Sequence, residues 1–369
     1  MDNRRGKWHL VAFIACAISV IYTFLIPDPI GKDTLIQPLP EIKILGEPEA
    51  SLPSNIGDHD SRAFMGKNFI GYYSAKGDLI ALMRRDSGAI LGDDFAIFRT
   101  GKAKVYSYFD LKTKANRIVG EEGFPLTIDG NPFVMRNDQM GISKLGNEGA
   151  VLWRYEFGRI ITGASAVAER AAFGTLSGEA IVLDKDGLPL FIIEPSVLGL
   201  SAKYPCVYGI ALSPDGSMLA MLHGLEPQRL SIFKERGSGW GVLASILIEK
   251  ESPYPRESAF SMDGSQGFFD SGDGYFHFDA EEKEFRHLPL KLETSSDRRS
   301  LISPLGEDGF TLLYDAGGST NFGLIINGVL RASFNVAVGA SLINVRGTEV
   351  DVIGDAAIQR FFVDLGGVK

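Results

Sequence analysis

From Ala63 to the C-terminus the chain is a succession of short runs in which apolar and polar positions alternate, each run broken by Gly, Asp or Asn. Successive side chains on a strand point to opposite faces, so this period-two pattern predicts strands. No stretch carries the spacing of an amphipathic helix, and the fold class expected is all-β. One element recurs: a strand, a turn rich in Gly or charge, and a second strand. Its copies run Lys104 to Val119, Met140 to Phe157, Glu179 to Ile193, Arg229 to Ile248, Gly274 to Leu290, Asn321 to Val336 and Ile358 to Leu365. Successive starts lie 36 to 50 residues apart, a spacing that suits four-stranded units better than the shorter repeats of solenoids.

The other half of each unit is a second strand pair with its own turn. In Ile210 to Met221, IALSPDGSMLAM, the turn is Pro214-Asp215-Gly216. Ala259 to Phe269 holds Asp263-Gly264, and Ser300 to Leu313 holds Asp308-Gly309. Asp-Gly pairs suit tight hairpins because Gly accepts positive φ.

These motifs carry a resemblance. Ala171 to Phe191, AAFGTLSGEAIVLDKDGLPLF, resembles the pyrroloquinoline-quinone-like repeat, and Gly149, Leu152 and Trp153 look like the end of the preceding copy. Ile210 to Ala220 resembles WD-repeat propellers, although no unit ends in Trp-Asp and Trp153 is followed by Arg154. The resemblance implies a single β-propeller over residues 63–369, of seven blades within a range of six to eight. Closing such a ring requires a strand from the other end of the domain. The residues after Gly339 supply about three strands, and Asn68 to Tyr73 or Asp78 to Met83 is the expected fourth.

The N-terminus follows a different pattern. Trp8 to Ile26 is a run of 19 uncharged residues, ten of them Leu, Ile, Val or Phe, long enough to span a hydrocarbon core of roughly 30 Å. Arg4, Arg5 and Lys7 in the basic tail 1–7 orient the N-terminus to the cytoplasm, which makes residues 8–26 a single-pass inner-membrane anchor and exports the rest. Two other readings use the same residues: lipidation at Cys16, preceded by Ile14-Ala15, or a cleaved signal. Six prolines between Pro27 and Arg62 make residues 27–62 an extended linker. Its apolar pieces, Thr34 to Ile36 and Ile42 to Leu45, are alternatively docking segments that shorten the linker's reach.

The sequence has 37 basic and 46 acidic residues, a net charge of −9. Without the tail the exported part is more acidic still, so nucleic acid is not an expected partner. Cys16 and Cys206 are the only cysteines, so the folded part forms no internal disulfide, and Cys206 is expected to be buried. The five histidines, His9, His59, His223, His277 and His287, lack metal-ligand spacing, and His277 in GYFHFD is read as an exposed strand position. Asp184, Asp186, Asp263, Asp270 and Asp273 are read as turn formers. No adjacent Cys pair of the quinoprotein kind and no Gly-x-Ser-x-Gly elbow is present, so no catalytic, cofactor-binding or metal residue is nominated and no cofactor is expected.

The function expected is therefore non-enzymatic: a membrane-anchored, periplasmic protein-binding scaffold in a bacterial envelope complex. It is similar in repeat type to the propeller lipoprotein of the outer-membrane β-barrel assembly machinery. The alternative is a propeller enzyme, or a receptor for a glycan or small ligand, using the central channel.

Overall fold

The computed structural model describes residues 35–44, 61–66, 68–85, 89–99, 105–237, 239–290, 300–307, 309–316, 318–336 and 340–365. The expected basic tail, the anchor 8–26 with Cys16, and His9 and His59 lie outside the described residues. Among the described residues no helix is long and apolar enough to cross a membrane.

Antiparallel sheets follow one another along the chain. Blade 1 is Ser61–Met65, Phe69–Ser74 and Leu79–Arg84. Blades 2 to 7 are four-stranded and occupy residues 90–119, 124–156, 161–193, 204–247, 258–289 and 300–335. Blade 8 is Leu342–Arg346, Glu349–Ile353 and Ala357–Asp364, with a last strand taken from the N-terminal side. Each blade's first strand touches that of the next, and blade 8 meets blade 1, so the sheets close into a ring.

The ring has eight blades, where the repeat count predicts seven. The uncounted blade is blade 1. Among the described residues it has no fourth strand and so lacks the strand-turn-strand element by which the other seven are recognised, and its second and third strands stand where a closing strand was expected.

Closure comes from further upstream. Leu35–Pro38 pairs antiparallel with the final strand, Leu35 opposite Asp364 and Pro38 opposite Phe361, and Ile42–Lys43 pairs with Ile358 and Ala357. Leu39 N–H and Ile44 N–H donate to the carbonyls of Arg360 and Ala356, both at 2.9 Å. Part of the expected linker is thus built into the ring, as its docking alternative anticipates.

The core is divided. Eight apolar clusters each sit between two neighbouring blades, for example Phe133, Trp153, Phe157 and Phe173 between blades 3 and 4. A middle strand is covered on both faces and is buried without alternation along most of its length, as in Met218–Leu225 and Gly309–Ala316. An outer strand is half solvated and alternates, as in Val329–Asn335. Trp153 ties one blade to the next: its indole N–H donates to Lys185 O at 2.9 Å, and Gly187 (φ +80°) leaves room for the ring, since a Cβ there would lie 2.6 Å from it.

The seam between blades 8 and 1 has a different character. Asp351, 1% exposed, accepts from Arg360 at 3.2 Å, from Arg62 at 3.4 Å and from the hydroxyl of Tyr73. Glu349 binds Arg62 at 2.5 Å and Arg360 at 3.4 Å. Arg346 reaches across to Asp93 of blade 2 at 2.5 Å, and Asp93 also accepts from Ala63 N–H at 2.9 Å. Burial, reinforced by the charge of Asp351, raises the Tyr73 hydroxyl well above its usual range and keeps it a donor. Three guanidinium groups thus meet three carboxylates where chain segments almost 290 residues apart must find one register.

Removing one partner from a buried ionic network strands the others, which typically costs about 3–5 kcal/mol. Asp351→Ala is therefore expected to lower the urea midpoint by a large margin. The change should exceed that of Arg136→Ala, whose pair with Glu156 lies in solvent. Equal midpoints in equilibrium unfolding would refute the seam's importance.

Candidate interaction face

Within each blade the inner strand starts on one face of the ring, here the upper face. That face carries the loops crossing from one blade to the next and the turns between second and third strands. Between blades 4 and 6 these loops are long, and hydrogen bonds fix them. Residues 194–200 fold back in successive turns, Val197 N–H donating to Glu194 O at 3.1 Å and Leu200 N–H to Pro195 O at 2.8 Å. Gln228, fully buried, donates to Ser252 O at 2.9 Å and accepts from Ser252 N–H at 3.1 Å. Glu251 accepts from the amides of Glu226 and Gln228 at 3.0 and 2.8 Å.

On this pinned framework apolar side chains face solvent. Val197 is 76% exposed, and Leu176, Leu198, Tyr204 and Tyr254 are also open. The same face holds a pocket of about 180 Å³ whose lining includes Glu179, Glu194, Pro195, Leu200, Ala202 and His223, and Leu176, Val197 and Tyr204 each adjoin a lining residue in the chain. An exposed apolar group surrounded by polar residues is the usual look of a surface that another molecule covers. The His223 ring is bonded to Ser231 Oγ at 2.9 Å, and burial, with Arg229 adding to it, lowers its pKa to about 4, so it is neutral at pH 7. Cys206 lies under the pocket and is buried, as expected from the sequence; burial raises its pKa, so it is a thiol rather than a thiolate.

Next to this face, immediately before the inner strand Ser258–Phe260, stands Glu257. It is open to solvent yet crowded by protein on several sides. Burial raises its pKa from 4.5 to about 7, and the Asp270 and Asp129 carboxylates add to the shift. A second cavity of about 340 Å³ is lined by the inner strands of blades 3 and 4, including Leu126, Asp129, Ile161 and Thr162.

The aspartates singled out in the sequence do not converge. Asp184 Oδ1 accepts from Asp186 N–H at 2.9 Å and Leu188 N–H at 2.8 Å. Asp263 Oδ1 accepts from Ser265 N–H at 2.9 Å, and Asp270 Oδ1 from Gly272 N–H at 2.7 Å. Asp273 accepts from Ser271 Oγ at 3.0 Å and faces His287 at 3.2 Å. Among the described residues no group of three His, Cys, Asp or Glu side chains is placed to hold a metal. His277 corrects the sequence reading. It is buried, its Nε2 3.0 Å from Gln266 Oε1, because the turn of the next blade packs on it: a Cβ on Gly328 would come within 2.5 Å of the ring. Strand alternation assumes one wet face, and a middle strand between two blades has none.

Neither the exposed cluster nor Glu257 is marked in the sequence. The one cue is the Pro-rich stretch Ser252-Pro253-Tyr254-Pro255, which announces a long, rigid loop.

For Glu257 the folded pKa lies above the unfolded one, so the folded state holds its proton more tightly. Its contribution is favourable at low pH and is lost as pH rises through the window from 4.5 to about 7. Glu257→Gln is expected to have a higher melting temperature than wild type at pH 8, the difference shrinking towards pH 4. A pH-independent difference in thermal unfolding would refute this.

The closed ring fits the comparisons with known proteins. A search of solved structures finds BamB from Moraxella catarrhalis, at 13% identity and a TM-score of 0.57, covering 89% of this chain and all of that one. It also finds Kluyveromyces lactis Hsv2, at 14% identity and a TM-score of 0.51, covering 72% of this chain and 90% of that one. At such identities these matches show the fold alone. An uncharacterized protein of Treponema pallidum (strain Nichols) is 21% identical over 296 residues, 79% of this chain and 77% of that protein. The family model described as beta-propeller protein matches residues 2–302. With most of its length matched, this chain belongs to the β-propeller proteins.

Proposed function

We propose that this chain is a non-enzymatic scaffold that binds another protein through the upper face of blades 4 to 6. The observation that carries the reading is the exposed group Leu176, Val197, Leu198, Tyr204 and Tyr254, held on loops already fixed by buried hydrogen bonds. A surface ordered before binding loses little conformational entropy on contact, and aromatic residues beside a pocket are the usual anchors of protein interfaces. The membrane setting belongs to the same proposal. The apolar run 8–26 behind Arg4, Arg5 and Lys7 tethers the ring to the inner membrane on its periplasmic side, within a bacterial envelope complex. Blades of the quinone-like and WD-like kinds are part of the proposal too, supported by the repeat motifs and by the docking of Trp153 on the neighbouring blade.

A photo-crosslinking residue at position 197 of the full-length protein in intact cells is expected to capture a defined envelope protein. The same probe at exposed Ile118, on the rim of blade 2, is not. Val197→Asp should reduce capture through a second probe at position 254 about tenfold, roughly 1.4 kcal/mol, without moving the melting temperature. Identical capture from positions 118 and 197 would sink the reading. The 340 Å³ cavity favours the second reading, a small-ligand or glycan receptor, and saturable binding of peptidoglycan fragments that Thr162→Trp blocks would favour it over the first.

A further inference from the structure

Among the described residues blade 1 ends one strand short of its neighbours. Blade 8 on one side finishes with the strand Leu35–Pro38, and blade 2 on the other with Asn116–Val119. In blade 1 the outermost strand is the third, Leu79–Arg84, and no described residue pairs with its outer edge. Nor does the chain leave room for a fourth strand in the usual place, because only five residues separate Arg84 from Ile90.

The register shows what this edge presents. Phe69 lies opposite Arg84 and Gly71 opposite Leu82, while Arg85 N–H donates to Asn68 O at 2.9 Å. Hydrogen-bonded and non-hydrogen-bonded pairs alternate along an antiparallel ladder. The Asn68–Arg85 pair is bonded, so the peptide groups of Leu82 and Arg84 point away from the sheet. Such a row is a ready template for another strand, and proteins ordinarily blunt it with Lys, Pro or an inward charge. Leu79-Ile80-Ala81-Leu82-Met83 has none of these.

The surroundings fit a single extended guest. Leu82 packs with Ile42 and Ile44 on the blade 8 side, and Met83 lies against the cluster that Phe98 and Phe109 of blade 2 also join, so the notch has apolar walls. Neighbouring strands lie about 4.8 Å apart, so the edge is recessed by about that depth. A second copy of the ring would bring its own protruding blades against those flanking the notch, whereas an isolated strand enters freely. At one end stand two exposed cations, Arg84 and Arg85, in a chain whose net charge is −9. Arg84 has no ion pair among the described residues, and Arg85 holds only the carbonyl of Gly66, at 3.0 Å.

We propose that the outer edge of blade 1, Leu79–Arg84, is a strand-addition site that takes an extended, acidic-ended segment of another protein as the missing fourth strand. The ladder supplies the main-chain bonds, the apolar walls receive alternate side chains, and Arg84 selects the acidic end. This rim site is separate from the upper face and does not depend on it.

The test uses the full-length protein in detergent micelles and two fluorescent peptides of alternating Val and Thr, one ending in two Glu and the other in two Lys. Anisotropy should show the acidic-ended peptide binding at least tenfold more tightly, with an affinity that falls as salt is raised. Hydrogen exchange at the amides of Leu82 and Arg84 should be fast in the protein alone and slowed at least tenfold by that peptide. Arg84→Glu should reverse the preference. Arg84→Pro, which removes an outward N–H and no ladder bond, should abolish binding of both. Val197→Asp should leave all of this unchanged, so that failure here and failure of the upper-face reading are told apart. Equal affinity for the two peptides, or no binding of either, overturns the proposal. So does slow exchange at both amides in the protein alone, which means that its own chain covers the edge, or a dimer by light scattering that Arg84→Pro dissociates, which means that a second copy does.

Discussion

Closure of the ring is the constraint on which everything else here depends. A sheet ends in a row of unsatisfied peptide groups, and radial blades hide most of them only if first and last are joined. In this chain the join uses residues 35–44, which run beside the final strand, and a buried lattice of Arg62, Arg346, Arg360, Asp93, Glu349 and Asp351. Elsewhere two blades that meet are neighbours in sequence, and greasy contact suffices to align them. At this seam the partners are nearly the whole chain apart. Directional ionic contacts then add register to an interface that apolar packing alone leaves free to slide.

Because the core is split into eight wedges, no one cluster carries the fold, and each wedge depends on the two blades that form it. This arrangement frees the loops. The crossings between blades 4 and 6 lend only Leu200 and Ile248 to the wedges, so they can grow long and carry Val197 and Tyr254 into solvent, while Gln228 and Glu251 hold the second of them still. Rigid support beneath an exposed apolar group is the physical condition for a specific interface, since a floppy loop spends its contact energy on becoming ordered.

Charge divides the molecule as well. The upper face carries Glu194, Glu226 and Glu251, and beside it burial, with the Asp270 and Asp129 carboxylates adding to it, drives Glu257 towards neutrality near pH 7. The rim at blade 1 carries Arg84 and Arg85 instead. Surfaces with different charged groups on one ring attract different partners, which is the property a scaffold needs.

Much of this architecture was legible in the amino-acid order. Alternation and Asp-Gly turns mark the strands, and the regular spacing of turns marks the blades, because turn geometry and strand pleat act over a few residues and leave a local imprint. Ser213-Pro214-Asp215-Gly216 and its counterpart at Ser261 cap their hairpins through the same Ser-to-Asp hydrogen bonds, at 2.6 and 2.7 Å. Blade 1 escaped the count because recognition relied on the outer strand pair, which its described residues do not form. His277 was misplaced because local alternation cannot tell a strand with one wet face from one between two blades. The face at Val197 and the open edge at Leu79–Arg84 left no local mark either. Whether a leucine on a loop or a strand edge is covered depends on what the rest of the chain brings beside it. Local order thus determined the strands, the turns and the kind of ring. Contacts between distant segments decided the number of blades, the closing strand and the surfaces left open, because burial and pairing are settled only when the ring is shut.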